Sequence, residues 1–338
     1  MAMTLKFRGG VGGEADNVAT CVENAVAAER DGFDSIGYGD TIFRDFISVL
    51  TACALATNRV SLGPTVTNPL TRAPIALANA MATIDEISNG RAFVAIGLGA
   101  SATAIAGVDR AKPAQMAAAI HTFRSAFRDA PGEDGRTPFD TDGYSIKWAK
   151  RKVPVIVHAS GPLGLKVAAM HGDGLLLRLG DTDWDQLPGR IAQVRQMHQE
   201  GPRAGMPFEV WMMVPMTVGE IDPTSSLAAV VSARANTLRV DQCPPELAHA
   251  HQQFLTRYDY KYHASTTEPR NLELLEKLGL TDYMMNRYAL SGSAEKLLGQ
   301  LRRLEAAGVN QVTAGQGPEM AKIMRAYRDG DGTPQYSA

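Results

Sequence analysis

The chain has 338 residues, 45% of them hydrophobic and 21% charged, with a net charge of −2 at pH 7. That balance excludes an intrinsically disordered chain, and lysines and arginines scattered among acids give no basic footprint for nucleic acid. No apolar run of about 18 residues is present to span a membrane, and the opening MAMTLKFRGG has no signal-peptide core, so a cytoplasmic protein is expected.

Short β-prone runs alternate with longer helical patterns from the start, which predicts βα units and a parallel sheet. Residues 4–7 read as a strand, followed by a turn through Gly9, Gly10, Gly12 and Gly13 and a helix over 17–31, with Val18, Cys21, Val22, Ala25 and Ala28 at helical spacing. A strand at 34–38, a helix at 46–56 and a strand at 60–63 follow. A helix over 74–87 stops at Asn89 and Gly90, where glycine tolerates the left-handed conformation, and a strand spans 91–96. Further strands are expected at 153–158, 174–178, 208–214 and 310–313. Eight parallel strands is the count of a (β/α)8 TIM barrel.

Two segments exceed a simple unit. Residues 130–152 include FDTDGYSIKW, which reads as a small hairpin, and residues 220–290 mix helical runs with aromatic residues. These are the expected insertions after strands 4 and 7 of one domain covering 1–338, and long connections on such a scaffold tend to cover a ligand. The tail beyond Arg328 reads as flexible.

In a barrel enzyme the residues just beyond each strand carry the chemistry. Here they are rich in glycine and poor in acids and bases. Gly97, Gly99 and Ser101 follow the fourth strand and admit a flat ligand close to the main chain, or make a tight turn. Ala159, Ser160, Gly161 and Pro162 follow the fifth strand and open a helix whose free N–H groups form an anion site, or a well-capped helix start. Metalloprotease, nucleophile-elbow and P-loop motifs are missing. His249 and His251 read as surface residues of the second insertion, His158 and His171 as structural. Cys21, Cys53 and Cys243 are far apart and read as buried small hydrophobes, and no metal ligand set is expected.

With the strand ends in view, the sequence resembles the bacterial luciferase-like superfamily, and within it the deazaflavin-dependent branch typified by methylenetetrahydromethanopterin reductase. Three blocks carry the resemblance in the family's order: residues 58–101, the run PVIVHASGPLGLKVAAMHGDGLLLRLG from Pro154, and SGSAEKLLGQLRRLEAAGVNQVTAG from Ser291. The resemblance implies a TIM barrel with coenzyme F420 or, alternatively, FMN at its C-terminal mouth. It places a non-prolyl cis bond at Thr65 and Val66, the ring edge at Thr67 and Asn68, and the coenzyme's underside at Gly97, Gly99 and Ser101. Ala159, Ser160, Gly161 and Pro162 would hold its phosphate. Asp40 matches the acid after the second strand and, with Thr41, is the candidate catalytic position.

Alcohol- and sugar-oxidising relatives carry histidine and glutamate where this chain has Thr41 and Ala102, so oxidation of those substrates is not implied. Arg8, Arg44, Arg72 and Arg178 are candidates to meet an acidic coenzyme tail. Trp211, Met212, Met213, Phe254, Tyr258 and Tyr260 suggest apolar walls for a small organic substrate. The leading expectation is hydride transfer to or from F420. The alternatives are an FMN-dependent monooxygenase fed by a separate flavin reductase, and a non-catalytic flavin-binding barrel. A homodimer is expected by resemblance.

Overall fold

The computed structural model describes residues 5–41, 43–128, 145–222 and 224–330. In chain order the elements are β1 (Lys6–Gly10), α1 (Val18–Arg30), β2 (Ser35–Tyr38), α2 (Phe46–Ala56), β3 (Ser61–Thr67), α3 (Pro74–Ile87), β4 (Val94–Ile96), α4 (Ser101–Ile105) and α5 (Pro113–Ser125). They continue with β5 (Val155–His158), α6 (Pro162–His171), β6 (Gly174–Arg178), α7 (Leu187–Gln199) and β7 (Glu209–Met213). Next come β8 (Met216–Val218), α8 (Ser226–Ala235), α9 (Pro245–Arg257), α10 (Arg270–Lys277) and α11 (Thr281–Tyr288). The chain closes with β9 (Leu290–Gly292), α12 (Ala294–Ala306), β10 (Gln311–Thr313) and α13 (Pro318–Arg328).

Eight of these strands form a closed parallel barrel in the order β1-β10-β7-β6-β5-β4-β3-β2. The expected TIM barrel is therefore present. Its closing seam pairs β1 with β10, Lys6 opposite Gln311 and Arg8 opposite Thr313. Two of the helices around it, α1 and α2, start where the sequence supplies side-chain caps: Asn17 Oδ1 accepts from Thr20 N at 3.0 Å, and Asp45 Oδ2 from Ser48 N at 2.9 Å.

Strand alternation sorts side chains between two cores. Phe7, Val157, Leu177, Met212 and Val312 face outward into the layer between sheet and helices. Phe93, Ala95, Ile156, Leu176 and Trp211 face inward and fill the lumen, with the Phe93 and Trp211 rings edge-on at 4.9 Å. The same alternation turns Arg8, His158, Arg178 and Thr313 inward. A cavity of about 460 Å³ opens at the N-terminal end of the barrel, where its charged lining is paired: Lys6 with Glu209 at 2.9 Å and Arg124 with Asp173 at 2.8 Å.

Several boundaries differ from the sequence reading. Gly9 and Gly10 belong to β1, because pairing with Ile36 and Gly37 of β2 overrides glycine's weak strand preference. The third strand runs on to Thr67. Residues 129–144 lie outside the described residues, so the hairpin expected at 139–148 is described only at 145–148, which are not strand. Residues 331–338 of the expected flexible tail also lie outside them. The long connection after β7 holds α8 to α11 around a hydrophobic cluster of its own, centred on Phe254, Leu275, Met284 and Tyr288. It also contributes β8 and β9, a parallel pair not expected from sequence. Phe254 packs in that cluster and Met212 in the outer layer, so neither is a substrate wall. His251 is fully buried, with Nε2 3.0 Å from the Ala235 carbonyl oxygen, and is not the surface residue expected. The three cysteines are buried and free. Among the described residues no helix is long and apolar enough to cross a membrane.

One glycine shows how tightly the upper lumen is built. A Cβ on Gly37 would lie 2.4 Å from Thr65 Oγ1 and 2.6 Å from its Cγ2, and Thr65 is branched and stiff. Gly37→Ala is expected to destabilise the fold by about 1–3 kcal/mol, the usual cost of overpacking. Urea denaturation measures it, and an unchanged midpoint would contradict this packing.

Candidate active site

The register of the barrel brings the loops after β2, β3, β4 and β5 side by side at the C-terminal mouth. Thr65 lies opposite Ala95 and Thr67 opposite Ile96, a slip that marks a bulge in β3, and Ile96 lies opposite Val157. The Thr65–Val66 peptide bond is cis. From that bulge to the loop after β5 is two inter-strand spacings, about 10 Å. Gly97 lies between them. Its N–H donates to the Thr67 carbonyl at 2.9 Å, and a Cβ there would sit 3.2 Å from His158 Nδ1 and 3.4 Å from Val66 Cγ2. Glycine leaves this floor open. Gly99 turns the chain at φ +88° into α4, whose first residue is Ser101.

At one side of the mouth Asp40 gathers donors. Thr67 Oγ1 donates to its Oδ2 at 2.8 Å, Thr71 Oγ1 at 3.3 Å and Asn68 Nδ2 at 3.4 Å. Asn68 is itself fixed, its Oδ1 accepting from the N–H groups of Leu70 and Thr71 at 3.0 Å each. All three side-chain bonds fall on one oxygen, which orients the carboxylate and leaves Oδ1 for a ligand. Thr41 is turned to a local task, its Oγ1 accepting from Phe43 N at 3.3 Å.

At the other side Ala159 is buried and Gly161 caps α6 with no side-chain hydrogen bond. Pro162 follows at the first helical position. The donors at this helix start are therefore left for an anion, reinforced by the helix dipole. A Cβ on Gly161 would meet nothing within 4 Å, so the space above the loop is open. Arg190 of α7, which sequence reasoning missed, donates from Nη1 to the Ser160 carbonyl at 3.1 Å and to Thr182 Oγ1 at 2.7 Å. A guanidinium thus stands against the loop that the sequence marks for phosphate.

The long connection after β7 comes down on this mouth. Glu14, beyond β1, accepts from Ser265 Oγ at 2.7 Å, Thr266 N at 3.0 Å and Thr267 N at 3.2 Å. Partial burial acts to raise its carboxyl pKa, but those hydrogen bonds outweigh it and hold the value below normal. Next to that latch, Tyr258 Oη lies 2.5 Å from His263 Nδ1, and Arg110 and Asn236 both donate to Tyr260 Oη at 2.8 Å. Burial, then the charges of Arg110 and Arg178, pull the His263 pKa down to about 4, and burial drives that of Tyr258 upward. Tyr258 therefore donates to a neutral imidazole, which leaves Nε2 as the N–H.

The expected cationic candidates divide. Arg44 donates from Nη1 to the Glu14 carbonyl at 2.8 Å, Arg72 is bound to Asp45 and Arg178 to Asp181 at 3.0 Å. Arg8 is buried in the lumen, with no place on the rim.

The sequence profile of the luciferase-like monooxygenase family matches residues 1–311, and the chain belongs to that family. It is 27% identical to a 5,10-methylenetetrahydromethanopterin reductase of Archaeoglobus fulgidus over 312 residues, 88% of this chain and 90% of that one. It is 32% identical to an F420-dependent glucose-6-phosphate dehydrogenase of Mycobacterium tuberculosis over 183 residues, 47% of this chain and 53% of that one. The structure of a coenzyme F420-dependent tetrahydromethanopterin reductase from Methanopyrus kandleri superposes with a TM-score of 0.69 at 20% identity, covering 96% of this chain and 98% of that one. That likeness is one of fold.

His263 gives the site a pH dependence. Below its ordinary value of 6.5 the unfolded chain takes up a proton that the folded protein refuses until about pH 4, so stability present above 6.5 is lost as pH falls through that window. His263→Gln should remove about 2 kcal/mol of the stability difference between pH 7 and pH 5, read from urea melts at both. An identical pH loss in the variant would contradict a partly buried, neutral ring.

Proposed function

We propose that this chain is an oxidoreductase that binds coenzyme F420 in the C-terminal mouth of its barrel and moves a hydride between it and a small organic substrate beneath the connection after β7. The observation that carries the reading is the uncapped start of α6, with Arg190 against it, about 10 Å from the Thr65–Val66 bulge. An anion site and an open, glycine-floored slot at that separation suit a phosphate-bearing tricyclic coenzyme. Family membership and the relatives above support the deazaflavin as its identity.

When bound, a deazaflavin supplies two-electron hydride transfer at carbon 5 and does not readily activate oxygen. The chain's own residues do the rest. Main-chain donors at Gly161 and beyond hold the phosphate, beside Ala159, Ser160 and Pro162. Thr65 and Val66 back the ring, and Gly97, Gly99 and Ser101 admit it. Thr67 and Asn68 line its edge and aim Asp40, whose free Oδ1 is placed to hold or move a proton at the substrate, with Thr41 shaping the loop. The connection latched by Glu14 excludes water. By family likeness we also take the protein to be a single-domain, cytoplasmic homodimer. The family's monooxygenases give the second reading, in which FMN and a separate reductase replace F420.

Fluorescence titration of the purified protein separates these readings. F420 should bind with an affinity at least about tenfold above that of FMN, and Gly161→Arg, which has open space before it, should abolish binding with an unchanged melting temperature. Failure of both coenzymes to bind sinks the proposal. Tight FMN binding with oxygen uptake in the presence of a flavin reductase would select the second reading.

A further inference from the structure

Basic side chains converge inside the barrel mouth, and among the described residues no matching set of acids faces them. Arg8, His158 and Arg178 project inward from β1, β5 and β6. Arg234 of α8 is buried beside them and donates to the carbonyls of Met213 at 3.2 Å and Tyr288 at 3.4 Å. The charges of Arg178, Arg234 and Arg8 all bear on the His158 ring. The acidic groups facing them are Asp181, already paired with Arg178 at 3.0 Å, and Tyr288, whose phenol burial pushes up to about 12. Arg234 therefore rests on carbonyl oxygens with no carboxylate of its own.

Arg8 has less. It is 1% exposed, its Nη1 has no hydrogen-bond partner, and its guanidinium lies 5.6 Å from the centre of the Trp211 ring. His158 Nε2 is likewise shielded and unpartnered. A buried guanidinium without a counterion carries a large desolvation cost, and it cannot escape by losing its proton at neutral pH. Burial lowers the Arg8 pKa only to about 10. Burial, with repulsion from Arg178, lowers that of Arg234 to about 9. The mouth therefore holds surplus positive charge on a planar fork beside an aromatic ring, the donor geometry that takes a carboxylate edge-on.

We infer that the substrate of this enzyme is a small carboxylate, its anionic end seated on Arg8 at the base of the mouth with Arg234 and His158 beside it. The inference rests on the reading of the mouth as the reaction site, and it names the class of molecule held there. Arg8 is a specificity-determining residue, and Met213, partly buried on the inward face of β7, gives the apolar contact for the rest of the molecule.

The test uses the coenzyme-free protein at low salt, with Trp211 fluorescence as the reporter and butyrate and butyramide as the probes. Butyrate should change the emission saturably, and butyramide, equal in shape but neutral, should bind about tenfold more weakly or less, as a lost charge-assisted hydrogen bond requires. Arg8→Met should erase the difference, and Arg8→Lys, which keeps the charge without the fork, should retain part of it and guards against misfolding of the first variant. Equal response to both probes, no response to either, or discrimination that survives in both variants overturns the inference. Loss of F420 affinity in Arg8→Met with butyrate discrimination intact also overturns it, because Arg8 would then serve the coenzyme. F420 titration of the same samples keeps the two readings apart: coenzyme binding without discrimination defeats the carboxylate alone, and discrimination without coenzyme binding defeats the proposed function alone.

Discussion

Closure of the barrel is the constraint on which everything else rests. The seam between β1 and β10 joins segments some three hundred residues apart, and only a closed parallel sheet points all eight strand ends at one mouth. Strand alternation then does the sorting. Outward residues bury themselves under the helices, while inward ones either fill the lumen, as Phe93 and Trp211 do, or rise to the mouth, as His158 and Arg178 do. Gly37, Gly63 and Gly97 let neighbouring groups pack closely inside the barrel. At Gly63 a Cβ would approach the Phe93 carbonyl oxygen to 2.0 Å, so the sheet itself could not pair with a side chain there.

Two electrostatic features are built on that frame and lie on different strands. One is directional: the main-chain donors at the start of α6, with the guanidinium of Arg190 held against the Ser160 carbonyl. The other is a field, produced by Arg8, Arg178 and Arg234 and offset, among the described residues, by Asp181. Fields of this kind raise the local concentration of anions and strengthen as water is excluded. The network on Asp40 sits apart from both, with Thr67, Thr71 and Asn68 all donating to its Oδ2. The helix start and the Asp40 network thus lie on separate sides of one opening, over which the connection after β7 is held by Glu14.

Much of the frame was legible in the sequence. Helical periodicity placed α2 and α3 at their observed limits, and the eight βα units emerged from turn glycines and β-prone runs. Local reasoning failed where pairing partners are distant. Gly9 and Gly10 look like a turn until β2 lies beside them, and β8 and β9 are three-residue strands that exist only because residues 216 and 290 meet. The loops at Thr65–Thr67, Gly97 and Gly161 could be named because glycine content and family resemblance mark them. Arg190, Glu14 and the setting of Arg8 could not, since each gains its meaning from a residue 30 to more than 200 positions away. His251 misled for the same reason: its i, i+2 spacing from His249 said nothing of the α8 carbonyl that buries it.

A crystal structure of the protein with the proposed coenzyme tests most directly whether the start of α6 anchors it. The phosphate is expected within hydrogen-bonding distance of the main-chain N–H groups beyond Ser160, with the ring against the Thr65–Val66 bulge. A phosphate bound elsewhere, or a ring lodged in the cavity at the N-terminal end of the barrel, would contradict it.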